Sequence, residues 1–422
     1  MQETLLHYIW KNSLFDNKEY SADTGEKISI VDTGIHNTDS GPDFTNAKVK
    51  INGTLWAGNI EIHKNSSEWT RHMHHQNEAY NNVILHVSLQ NDRECINSRG
   101  RIIPSIQIHF DPEIEYMYNR LIADHSMIPC HSSLTLLNSS LVCLWLSTLT
   151  IERLSAKTAA ICNLLKLTKN NWEETFYINL AKSFGLKINA LPFELTAKAT
   201  PIKVVSKHSH NLFELEALLF GQAGLLEDKP LDDYHTLLIG EYRYLQKKYS
   251  LKGIESHLWK YLRLRPSNFP TIRIAQFCAL IHKSNRLFSI TMECGSIEEL
   301  LETYTCSVSE YWKNHYKFGK EAKHMDKTLG LHAKLSLIIN TIIPFMFIYG
   351  EHKNLEQLKE KALHLLESIP PESNKIIKKW SEYQVKCRHA GDSQALLQLS
   401  NEYCSSKRCL DCQIGNLVLR NT

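Results

Sequence analysis

The chain has 422 residues, of which 43% are hydrophobic and 22% charged, with a formal net charge of +3. That mix is ordinary for a globular protein and excludes a disordered, collagen-like or disulfide-dense chain; the length predicts two to three domains at roughly 100–200 residues each. No stretch reaches the roughly 18 consecutive apolar residues of a membrane span. The best candidate, residues 335–349, is broken by Asn340 and Pro344. Met1-Gln2-Glu3-Thr4 lacks the basic-then-apolar start of a signal peptide, so a soluble, cytoplasmic protein with no membrane partner is expected.

Residues 3–10 predict a helix whose apolar face carries Leu5, Leu6, Ile9 and Trp10. Residues 26–31 predict a strand. Residues 43–52 and 54–63 predict two more, joined at Asn52-Gly53, a strong hairpin signal. Residues 66–77 have helix-compatible content, residues 83–87 form a continuous apolar run suited to a buried strand, and residues 102–110 predict a further strand. From about residue 136 onward the apolar spacing is helical, as in residues 141–165, 211–226, 272–288 and 355–366. The expected organisation is an α+β domain over residues 1–135 followed by a larger all-helical part over residues 136–422.

The chemistry-bearing stretch is Gly41-Pro42-Asp43-Phe44 followed by Ile60-Glu61-Ile62-His63-Lys64. The two acids stand 18 residues apart across the Asn52-Gly53 turn, so antiparallel pairing brings them to neighbouring strand ends. Glu61 and His63 share a face because strand side chains alternate; Lys64 has the opposite parity. One carboxylate from each strand suits Mg²⁺ or Mn²⁺, which activates water and stabilises the leaving oxygen in phosphodiester cleavage.

This order of elements, with Pro42-Asp43 and Glu61-Ile62-His63, resembles the PD-(D/E)XK nuclease superfamily. The resemblance implies a mixed sheet flanked by helices, with Asp43 and Glu61 as metal ligands. It also implies a catalytic role for His63, or for Lys64 if a bulge re-aims it. The superfamily usually has lysine where this chain has His63, and Glu3 stands where some members carry an extra metal-binding glutamate. Over nearly its whole length the chain is also similar to an uncharacterised bacterial family, domain of unknown function 2851. That likeness is carried by Ser40-Gly41-Pro42-Asp43-Phe44, Glu61-Ile62-His63, Trp69, His72 to His75, Tyr80 with Val83 to Val87, residues 263–276 and residues 409–415.

Three other features carry expectations. Arg71-His72-Met73-His74-His75 puts His72 and His75 on one helical face; with Glu61 and His63 it suits Zn²⁺, Mn²⁺ or Fe²⁺. Residues 242–290 hold ten Lys/Arg against one acid, interleaved with eight aromatics. This fits a nucleic-acid track formed by Lys247, Lys248, Lys260, Arg263, Arg265 and Arg273. Cys404, Cys409 and Cys412, with Cys387 or His389 as a fourth ligand, suit a structural Zn²⁺ or an iron–sulfur cluster. The function expected is a metal-dependent nuclease-like protein acting on DNA or RNA. The alternatives are a non-catalytic nucleic-acid-binding protein of degenerate nuclease fold and a histidine-rich transition-metal hydrolase of a small molecule. The net charge is a cancellation: residues 1–130 carry 11 basic and 17 acidic side chains, against 37 and 28 in the rest.

Overall fold

Asn52 and Gly53 both take positive φ, +48° and +82°. That is the backbone of a two-residue hairpin turn whose twist matches its strands. It joins β4 (Phe44–Ile51) to β5 (Thr54–Asn65), with Ile51 opposite Thr54 and Phe44 opposite Ile60. Phe44, Ala47, Val49, Ile60 and Ile62 are buried and form the apolar core of this hairpin.

The computed structural model describes residues 2–136, 139–226, 229–284 and 286–420. It divides into two compact units. The first holds Met1–Trp145, Glu382–Val385 and Leu399–Thr422; the second holds Leu146–Ser381 and Lys386–Gln398. The C-terminal cysteines therefore group with the N-terminal residues, whereas a boundary at residue 135 placed them in the helical part.

The first unit is built on a seven-stranded mixed sheet. Around the hairpin stand β1 (Glu19–Ser21), β2 (Lys27–Asp32), β3 (Ile35–His36), β6 (Val83–Gln90) and β9 (Ser105–Gln107). The order is β1-β2-β4-β5-β6-β9, with β3 beside β4. Pairing is antiparallel from β1 to β5 and parallel from β5 to β6 and β9. From Val83 to Ser88 every residue of β6 is buried, as its unbroken apolar run predicts for a central strand. Helix α1 (Glu3–Lys11) packs Leu5, Leu6, Ile9 and Trp10 inward, and Trp10 Nε1 donates to Thr33 O at 3.0 Å. An α+β N-terminal domain followed by helices is what the sequence predicts.

Two elements differ from expectation. Residues 66–77 are not one helix: α2 spans only Glu68–Arg71, because Met73 adopts φ +59° and turns the chain into a short 3₁₀ segment, His74–Gln76. The strand expected over 102–110 is split at Pro104, which has no N–H to give a ladder. The first piece, β8 (Ile102–Ile103), pairs with β7 (Cys95–Ile96), while β9 joins the main sheet.

The second unit is helical. The run Leu331–His352 has the length and hydropathy of a membrane span, but it is a core helix here: Ile338, Ile339, Ile342, Ile343, Phe345 and Met346 are all buried. The basic segment is less open than its composition suggests. Arg273 is buried, its guanidinium donating to Gln276 and Asn268, and Tyr242, Trp259 and Phe277 lie in the core. These residues do not form a surface track. Lys247, Lys248, Lys260, Arg263 and Arg265 are exposed.

Glu216 gives this unit a titratable core. It is fully buried, and its Oε2 accepts from Tyr234 Oη at 2.7 Å and Trp312 Nε1 at 2.9 Å. Burial pushes its carboxyl up from 4.5 to about 7. A folded-state value above the unfolded one means that stability is full below the unfolded pKa and falls as pH rises through the window from 4.5 to about 7. Glu216→Gln keeps an acceptor and removes the titration. Denaturant melts of this variant are expected to lose that fall, leaving it roughly 3 kcal/mol more stable than wild type near pH 8. The same pH profile in both proteins would refute this.

Candidate metal centre

The hairpin register does the first work of assembly. Asp43 immediately precedes β4 and Glu61 sits on β5, and each carboxylate is held by the other's strand. Asp43 N–H donates to Glu61 Oε2 at 3.1 Å, and Ile62 N–H donates to Asp43 Oδ2 at 2.9 Å. Glu61 is 4% exposed. Burial, then the neighbouring Asp43 charge, raises its carboxyl far above the usual carboxylate range. Two facing acids of this kind are stabilised by a shared proton or a cation.

Imidazoles surround the pair. His63 Nε2 lies 3.6 Å and His74 Nε2 3.2 Å from Glu61 Oε1, and His7 Nε2 lies 3.3 Å from Asp43 Oδ2. His63 Nδ1 and His86 Nε2 are 2.9 Å apart and share a hydrogen bond; β6 supplies His86 directly opposite Glu61. Burial first, and neighbouring imidazoles next, hold His63 far below its ordinary value and push His86 down to about 3. Both rings are neutral, so their free nitrogens carry lone pairs. Ligand atoms of His63, His72 and His74 all lie within 4.8 Å of one another. The buried Nε2 of His74 has no hydrogen-bond partner of good geometry among the described residues, as a ligand nitrogen facing a cation would not. Glu3 stands close enough to feel His7, Asp43, Glu68 and His72, and burial raises its carboxyl.

The donor set is therefore two carboxylates with several imidazoles. It fits Mn²⁺, Fe²⁺ or Zn²⁺ better than Mg²⁺, which favours oxygen. Trp69 supports the rings from behind, edge-on to His74 and His86 and donating from Nε1 to Ile96 O at 2.9 Å, while Tyr80 stacks on His74 at 3.9 Å.

The structure brings together Glu3, Asp43, Glu61, His63 and His72. His75 is not among them. The left-handed Met73 breaks the helix that would have aligned His72 with His75, so His74 turns inward and His75 instead contacts Gln76. Lys64 lies on the opposite face of β5 from Glu61 and His63, as strand parity requires. His7 and His86 were missed by sequence reasoning. His7 follows Glu3 by one helical turn, and His86 is the one polar residue among Val83, Ile84, Leu85 and Val87; either irregularity marks them. Cys387 and His389 belong to the second unit, where the Cys387 thiol contacts His389 O. The residue that joins Cys404, Cys409 and Cys412 electrostatically is Cys130.

His7 and His36 also line a cavity of about 620 Å³ in the first unit, together with Lys11, Lys407, Arg408 and Asp411. A family model described as a protein of unknown function (DUF2851) matches residues 3–375. No curated protein and no solved structure matches the chain.

Proposed function

We propose that this chain, which belongs to the DUF2851 family, is a divalent-metal-dependent phosphodiester hydrolase using Asp43 and Glu61 as its carboxylate pair. The observation that carries the reading is the cross-bracing of those two acids at adjoining strand ends, with imidazoles converging on Glu61 Oε1. The sheet adds support: three antiparallel strands, β2, β4 and β5, are followed by a parallel crossover to β6 behind a leading helix, the order the nuclease resemblance implies. A bound divalent cation would supply Lewis acidity and a water of lowered pKa. The protein's own contribution is positioning. With His63 Nδ1–H donating to His86 Nε2, the His63 Nε2 lone pair faces Glu61 and can accept a hydrogen bond that orients an attacking water. Lys11, Lys407 and Arg408, together with His7, line a cleft next to Asp43 with the sign of charge a phosphodiester needs. Exposed Arg263, Arg265, Lys247, Lys248 and Lys260 of the second unit suit a polyanionic substrate, DNA or RNA.

The histidine trio favours a second reading, a transition-metal hydrolase of a small molecule. One experiment separates the two. Purified protein is incubated with plasmid, single-stranded DNA, RNA and a small aryl phosphodiester in Mn²⁺, Mg²⁺ or Zn²⁺. The expected result is polynucleotide cleavage, strongest in Mn²⁺ and abolished by chelator. Turnover of the aryl ester alone would select the second reading, and no hydrolysis in any of the metals would overturn both.

A further inference from the structure

Six of the chain's 11 cysteines belong to the first unit, and four of them are not among the acid–histidine group yet bear on one another. Cys404, Cys409 and Cys412 come from its C-terminal segment. Cys130 comes from the turn after α3 (Pro112–Ala123). Cys130, Cys409 and Cys412 are buried and Cys404 is half-buried; all are free thiols. Burial is the main influence on Cys130, followed by the thiols of Cys404, Cys412 and Cys409; Cys412 and Cys409 likewise bear on Cys404. Each thiol thus sits in a low-dielectric setting, and Cys130 and Cys404 are near enough to the others to feel their charge.

The surrounding backbone is shaped to hold them. Lys407 takes φ +54°, closing the loop between Cys404 and Cys409. Gly415 lies so close to the Cys409 carbonyl that a Cβ there would meet the oxygen at 2.1 Å. The backbone N–H groups of Ile414 and Gly415 lie near the Cys412 thiol and favour its thiolate, against the larger upward push of burial. Such donors stabilise a thiolate and tune a metal bound to it. Lys407 Nζ donates to Asp124 O, tying the cysteine loop to the segment that leads into Cys130.

We propose that Cys130, Cys404, Cys409 and Cys412 are the four ligands of an iron–sulfur cluster, a site independent of the acid–histidine centre. Spacing distinguishes it from single zinc. Four sulfurs about 2.3 Å from one Zn²⁺ in a tetrahedron would stand about 3.8 Å apart. Among the described residues, the trio with ligand atoms all within 4.8 Å of one another is the histidine one, and no three of these sulfurs form another. A wider cage of four thiolates suits a polynuclear core. The cluster would pin residue 130 to the 404–412 turn, whose Lys407, Arg408 and Asp411 form one wall of the cleft next to His7.

The test is elemental analysis of full-length protein expressed with iron and purified without oxygen. Iron and acid-labile sulfide in near-equal amounts are expected, with a broad visible absorption. Both are expected to vanish in Cys130→Ser and to persist in Cys387→Ser. Wild-type protein supplies a readout that no folding defect can imitate. Peptides carrying Cys130, Cys404, Cys409 and Cys412 are expected to become alkylated together only after a chelator and mild oxidant strip the cluster. Identical alkylation with and without stripping, or one zinc per chain with no sulfide, would overturn the assignment. Phosphodiesterase activity is not a readout, so failure of the hydrolase proposal would leave this result standing.

Discussion

Asp43→Asn and Glu61→Gln are each expected to lower metal-dependent cleavage by about 10³-fold, which is about 4 kcal/mol of transition-state stabilisation. Both variants keep acceptor oxygens for the backbone donors that brace the pair, Asp43 N–H and Ile62 N–H, so the hairpin register survives. What they remove is charge, and charge is what a hard or borderline cation needs. Glu61→Gln carries a second expectation. In metal-free protein the carboxylate is buried next to Asp43, so its ionisation works against folding. The sign follows: a folded-state value above 4.5 means the stabilising protonated form is lost as pH rises, so the neutral amide is favoured above that range. The variant is expected to be roughly 1–3 kcal/mol more stable than wild type at pH 8 without metal, and to gain nothing from added Mn²⁺. Loss of activity with gain of stability is the signature of a site kept for chemistry. A purely structural Glu61 would give the reverse: a less stable variant that responds to metal as wild type does.

Trp69→Ala is expected to be the most damaging single change in the first unit. The side chain is fully buried in a small cluster with Tyr80, Val83, Cys95 and Ile103, separate from the helical core. Its Nε1 satisfies the Ile96 carbonyl. Truncation leaves a cavity and an orphaned acceptor, at a cost of about 3–5 kcal/mol. It also removes the wall against which His74 and His86 rest. Metal affinity is therefore expected to fall by roughly 10–100-fold even where the variant remains folded. Denaturant melts give the first effect, and metal titration in buffer without denaturant gives the second. Trp69→Phe, which retains most of the packing, is expected to recover most of the stability. A Trp69→Ala protein that melts within ~1 kcal/mol of wild type would contradict the packing argument.

The elements that rest on local chemistry were legible in the sequence. Asn52-Gly53 specified the hairpin turn, and with it the meeting of Asp43 and Glu61. Strand parity placed His63 with Glu61 and Lys64 away from them. What escaped depended on contacts distant in the chain or on single backbone conformations. A positive φ at Met73, a residue with no preference for it, exchanged His75 for His74. Pro104 divided a strand that its apolar residues alone would have continued. Composition misled at Arg273: a basic run reads as surface, but a guanidinium satisfied by Gln276 and Asn268 can be buried. Cys130, the thiol that feels the C-terminal cysteines, stands 274 residues before the first of them, a separation no spacing rule reaches.

The central claim is that Asp43 and Glu61 together hold a divalent cation, and diffraction from crystals grown with Mn²⁺ tests it most directly. The expected result is an anomalous peak about 2.0–2.2 Å from a carboxylate oxygen of each acid, with the Nε2 of His74 in its coordination shell and no peak in Asp43→Asn crystals. A peak held by the histidines alone, or an ordered site with Mn²⁺ bound elsewhere and none at the acid pair, would contradict it.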